Sequence, residues 1–136
     1  MSVIEKLIRF LKFDLDEKRR ILRELEEQES RIQEAIDRIN QEVESEQAFA
    51  RGTADFAPYY GGYATRTKGR REALEVELGK AQGEVEDARK IVVQAFEELK
   101  KYEITKDQDD HRAYLEEERQ DRIELDEIAL TGHLRK

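Results

Sequence analysis

His111 and His133 are the only imidazoles among 136 residues, and cysteine is absent. Nucleophilic catalysis, general base catalysis at neutral pH and thiolate or imidazole metal sites draw first on these two residue types. The two histidines lie far apart, have no ligand spacing between them and lack a nearby candidate nucleophile. Carboxylates are plentiful, with 33 Asp and Glu, but they are interspersed with Lys, Arg and Gln in the manner of solvated helix faces. Gly61-Gly62 is followed by no Gly-Lys-Ser/Thr run, so no phosphate loop is present. The reading is therefore a protein without enzymatic activity, cofactor or metal.

The chemistry that remains is recognition. Arg66-Thr67-Lys68-Gly69-Arg70-Arg71 is the one basic cluster, read either as a solvated first turn or as a docking site for an acidic protein surface. Residues 103–127 hold eleven acids against four bases, which accounts for nearly all of the net charge of −8. Phosphate repulsion argues against nucleic acid as a partner for that half, leaving only the basic cluster to support a nucleic-acid-binding arm. Phe56, Tyr59, Tyr60 and Tyr63 gather four of the ten aromatics around the single proline, Pro58. They either close the end of a hairpin or present an aromatic patch to a partner.

Two apolar stripes must position these groups. Ile4, Ile8, Leu11, Leu15, Lys18, Leu22, Leu25, Glu29, Ile32, Ile36, Ile39, Val43, Glu46 and Ala50 step by four and three, and eleven of the fourteen are apolar. Leu74, Leu78, Ala81, Val85, Ala88, Val92, Ala95, Leu99 and Tyr102 repeat the spacing and are read as a run with no polar member. A period of 3.5 residues is that of a left-handed coiled coil. Pro58, with Gly52, Gly61 and Gly62, marks the one place for the chain to reverse. The fold class expected is all-α: a long antiparallel two-helix coiled-coil hairpin with a C-terminal helical overhang. A single hairpin over residues 1–136 has its first helix at about 3–49, its tip at about 50–63 and its second helix at about 64–132.

Local signals refine this layout. Ser2 with Glu5 three residues later has the form of a capping box. Gly69, Gly79 and Gly83 each cost the second helix about 1 kcal/mol relative to Ala. The spacing of Gly79 and Gly83 admits either a close partner backbone or a locally softened helix, the latter being favoured. Residues 3–13 are the most apolar stretch but carry regular charges, so they are neither a signal core nor a membrane span. Packing on a partner helix outranks membrane-surface binding for this segment, because its polar face is not strongly basic. Pairing of residues 32–43 with 74–85, and of Ile4 with about residue 110, leaves the second helix outrunning the first by about 20 residues at 1.5 Å per residue. Beyond Tyr102 the stripe breaks, and Ile123, Leu125, Ile128, Leu130 and Leu134 resume out of phase. This end asks for an external partner.

Three tracts resemble the flagellar export FliJ family and its type III secretion counterparts of the YscO kind. They are residues 7–25, the block Ala88-Arg89-Lys90-Ile91-Val92-Val93-Gln94-Ala95-Phe96-Glu97-Glu98-Leu99-Lys100-Lys101-Tyr102-Glu103, and Glu124-Leu125-Asp126-Glu127-Ile128-Ala129. With the hairpin layout, the resemblance spans nearly the whole chain. It implies a soluble, cytoplasmic, non-enzymatic part of an export apparatus, peripheral to the inner-membrane gate and without direct membrane insertion. It also implies a stalk similar to a rotary-ATPase gamma subunit, with a hexameric export ATPase, the export gate protein FlhA and substrate chaperones as partners. The family's gate-binding tract carries tyrosines late in the first helix, where this sequence has Ile39, Glu42 and Glu46. No gate-binding residue is therefore carried across. Candidate partner-binding residues are Tyr59, Tyr60, Tyr63, Arg66 and Lys68 at the tip. At the other end they are Ile4 and Leu7 with Ile123, Leu125, Ile128, Leu130 and Leu134. The alternative function is a structural or tethering coiled coil unrelated to secretion.

Overall fold

The structure is a computed structural model that describes residues 1–52, 55 and 57–134, apart from the side chains of residues 57 and 134. Two helices, α1 (Val3–Gly52) and α2 (Ala57–Leu134), pack against each other as an all-α hairpin, with no strand among the described residues. The chain divides into two compact units, Asp16–Gln94 and Met1–Leu15 with Ala95–Lys136.

α1 starts where a capping box places it. The Ser2 amide donates to Glu5 Oε2 and the Glu5 amide donates to Ser2 Oγ, both at 3.2 Å. Two of the amides that a helix start leaves without intrahelical partners are thereby satisfied reciprocally. Each of the fourteen stripe positions of α1 is buried or half-buried, including Lys18, Glu29 and Glu46. Packing geometry rather than side-chain polarity thus decides which face turns inward, and the aliphatic stems of the polar members cover apolar surface.

In the unit Asp16–Gln94, the core is formed by Ile36 and Ile39 of α1 with Ala81, Val85 and Ala88 of α2, Val85 being 2 % exposed. Asn40 accepts a hydrogen bond from Arg71 at 3.3 Å. Ile32 shares a groove with Lys80 and Ala81, and Ile39 shares one with Arg70 and Leu74. The facing residues of α2 therefore lie about one turn nearer the tip than the pairing of 32–43 with 74–85 expected from the sequence. The reason is the reversal itself: α1 continues to Gly52 and α2 begins at Ala57, so the link is short. Gly61 and Gly62 do not loosen α2, and no glycine has a positive φ. Added Cβ atoms at Gly79 and Gly83 would meet nothing within 4 Å, so neither glycine makes room for another described part of the chain.

In the other unit Ile8 and Leu15 of α1 pack with Ala95 and Leu99 of α2. Lys106 Nζ lies 4.0 Å from Glu5, where the sequence had set residue 110 opposite Ile4. From there α2 runs on alone, and every described residue in 107–133 is exposed. No helix is long and apolar enough to cross a membrane among the described residues.

Candidate functional site: the α2 overhang and the hairpin tip

A lone helix of residues 107–133 has only its own side chains to support it. Lys106 Nζ bonds Asp110 at 2.6 Å, Arg112 bonds Asp109 at 3.0 Å, Arg119 bonds Glu116 at 2.9 Å and Tyr114 Oη donates to Glu118 at 2.9 Å. Exposed pairs at this spacing contribute little each, because solvent screens them. The hydrogen bond to Asp110 raises the Lys106 pKa against a smaller desolvation effect, and the hydrogen bond from Arg119 lowers that of Glu116. The Glu116 contribution is therefore present at neutral pH and fades as pH falls through its lowered value; that of Lys106 fades as pH rises through its raised one. Such pairs keep a helix helical without anchoring it.

The apolar residues predicted to form one terminal patch do not share a face. Ile123 and Leu130 are seven residues apart on one side, whereas Leu125 and Ile128, 64 % and 68 % exposed, lie on the other. Leu134 has its side chain outside the described residues. Ile4 and Leu7 are half-buried at the start of α1, and Ile4 belongs to the seam with α2. Seventeen helical residues separate Lys106 from Ile123, a distance of about 25 Å along the axis, so the two groups form no common surface. The sequence reading missed Ile104, Tyr114 and Leu115, all about half exposed. Ile104 with Leu115, and Tyr114 with Leu125, are eleven residues apart and so stack on one side of α2. That signal was available at the three-turn spacing, but following the intrachain stripe through Lys106, Asp109 and Ala113 traces a different side of the helix.

At the tip the three tyrosines separate. Tyr59 is 72 % exposed. Tyr60 is half-buried and shares a groove with Gln47, Ala50 and Arg51, while Tyr63 packs beside it with ring centroids 6.1 Å apart. Arg66 and Lys68 are exposed, and Lys68 lies 4.0 Å from Glu72. Phe56 lies outside the described residues. Tyr60 and Tyr63 therefore close the seam, and Tyr59, Arg66 and Lys68 remain as accessible contacts. The Tyr63 hydroxyl is buried without a hydrogen-bond partner among the described residues. Tyr63→Phe is expected to raise stability by about 1 kcal/mol by removing an unsatisfied group, with urea unfolding as the measurement.

The candidate surfaces are thus a solvated acidic helix in one unit and a small aromatic and basic surface in the other. No cluster of three or more His, Asp or Glu able to hold a metal occurs among the described residues. No curated protein and no solved structure matches the chain. The family described as flagellar FliJ protein matches residues 1–136, the whole chain. The chain belongs to the flagellar FliJ family.

Proposed function

We propose that this chain is a non-enzymatic, cytoplasmic component of the flagellar protein export apparatus, acting as a stalk whose α2 overhang enters the central opening of a hexameric export ATPase. The observation that carries this reading is the exposure of every described residue in 107–133, with apolar side chains on more than one side of the helix. A flat partner covers one side of a helix. A ring surrounds it, and so rewards apolar groups at Leu125 and Ile128 as well as at Ile123 and Leu130. The eleven acids between residues 103 and 127 favour a basic lining and make encounter sensitive to salt. The tip, through Tyr59, Arg66 and Lys68, is the surface offered to the export gate protein FlhA or to substrate chaperones.

Photo-crosslinking tests the insertion. A photoreactive residue placed at Ile123 and, separately, at Leu125 is expected to form adducts with the export ATPase from both positions, since they lie on different sides of the helix. Adducts from one side only would indicate docking along a surface, and none from either would reject this end as the contact.

A further inference from the structure

The partner helix that residues 3–13 need is α2 itself: Ile8 and Leu15 pack with Ala95 and Leu99, and Ile4, Leu7 and Leu11 are half-buried. A second face of α1 is left over. Val3, Lys6, Phe10 and Phe13 step by three, four and three, the spacing of one helix side, and Arg9 lies next to them on that side. All five are exposed, Phe10 by 63 %, Phe13 by 71 % and Val3 by 84 %. Glu5 is the only acid before Asp14, and it is turned toward α2, accepting the Ser2 amide at 3.2 Å and facing Lys106 at 4.0 Å. Lys6 and Arg9 form no ion pair among the described residues. The outer face therefore joins apolar side chains to bases and holds no acid.

This mixture decides what can cover it. Lys6 stands between Val3 and Phe10, so an apolar protein groove deep enough for the rings would strip water from its ammonium. A lipid surface makes no such demand. Rings enter the boundary between headgroups and acyl chains, while the long stems of Lys6 and Arg9 carry their charges back to the phosphates. Anionic headgroups complement the two bases. The acidic overhang opposes this contact only weakly, because it continues α2, whose axis lies about 8–10 Å from that of α1, or about one screening length at physiological salt.

We propose that the outer face of α1 adsorbs to an anionic lipid surface, with Phe10 and Phe13 in the interface and Lys6 and Arg9 on the phosphates. The helix lies on the surface without crossing it, since no described helix is long and apolar enough to span a membrane. The overhang, repelled by the same headgroups, stays in water and open to the ATPase. Adsorption involves no ATPase, so its failure would leave the stalk reading intact.

The chain has no tryptophan, so Phe13→Trp and, separately, Leu125→Trp give single fluorescent reporters. With vesicles of phosphatidylglycerol and phosphatidylcholine in equal parts at millimolar lipid, the emission of Phe13→Trp is expected to shift to the blue and that of Leu125→Trp to stay in place. The parent chain is expected to sediment with these vesicles. Binding is expected to be at least about tenfold weaker for Phe10→Ser with Phe13→Ser, for Lys6→Glu with Arg9→Glu, and for the parent on phosphatidylcholine alone. Val76→Ser, which changes an exposed side chain in the unit Asp16–Gln94, is expected to bind as the parent does. Circular dichroism of each variant verifies that helicity is retained. A parent chain that does not sediment would leave the face to a protein partner and overturn the proposal. Equal binding to phosphatidylcholine alone, a blue shift of Leu125→Trp in place of Phe13→Trp, or indifference to either double substitution would overturn it as well.

Discussion

A chain cut after Lys106 is expected to melt as the complete chain does and to give no stimulation of the export ATPase. The first half follows from burial: the apolar core residues Ile8, Leu15, Ile36, Ile39, Ala81, Val85, Ala88, Ala95 and Leu99 all precede the cut, whereas every described residue from 107 to 133 is exposed. Only short-range exposed pairs are lost with the overhang, and these support only their own helix. The second half follows from the proposed insertion, which uses that segment alone. Thermal unfolding by circular dichroism and ATP hydrolysis with and without each chain are the paired measurements. Full stimulation by the shortened chain would remove the overhang from the mechanism, and a markedly lower melting temperature would show that it supports the fold.

Val85→Asp is expected to destabilise the hairpin by about 3–5 kcal/mol, since it buries an unpaired carboxylate in the seam. Val85 is 2 % exposed and is among the most enclosed side chains in the unit Asp16–Gln94. Val76, 61 % exposed on the same helix, provides the control: Val76→Asp should cost less than about 1 kcal/mol. Both changes introduce the same residue into the same helix, so propensity cancels and burial alone separates them. Urea unfolding at neutral pH reads the difference. Equal midpoints for the two variants would mean that Val85 does not face α1.

The seam was legible because coiled-coil packing repeats. Fourteen positions of α1 identified by spacing alone are all turned inward, and the capping box at Ser2 and Glu5 forms both of its bonds. Legibility fails where spacing persists but residue type changes. The inward positions of α2 continue toward the tip through Arg71, Thr67, Ala64 and Tyr60, yet a search for apolar residues stops at Leu74. Thr67, 2 % exposed, is as enclosed as Val85. Register was displaced for a related reason. Pro58 is acceptable at a helix start, but the paired glycines Gly61 and Gly62 suggest an irregular tip to about residue 63, whereas α2 is helical from Ala57. The overhang was expected from the mismatch in helix reach, but the division of its apolar residues between two sides was not. Their proximity in sequence concealed it, since two residues two positions apart on a helix point in quite different directions.

The short link between Gly52 and Ala57 also bears on how the chain finds its fold. Residues beside it, such as Ala50 and Tyr60, meet across a groove after enclosing only a small loop. Glu5 and Lys106 are separated by about a hundred residues, and closing so long a loop from an open chain costs more entropy than closing a short one. Pairing that starts at the link and advances outward shortens each later closure to the next turn of two helices already side by side. The hairpin is thus a fold of locally ordered steps despite its distant final contacts, and topology of this kind favours rapid folding.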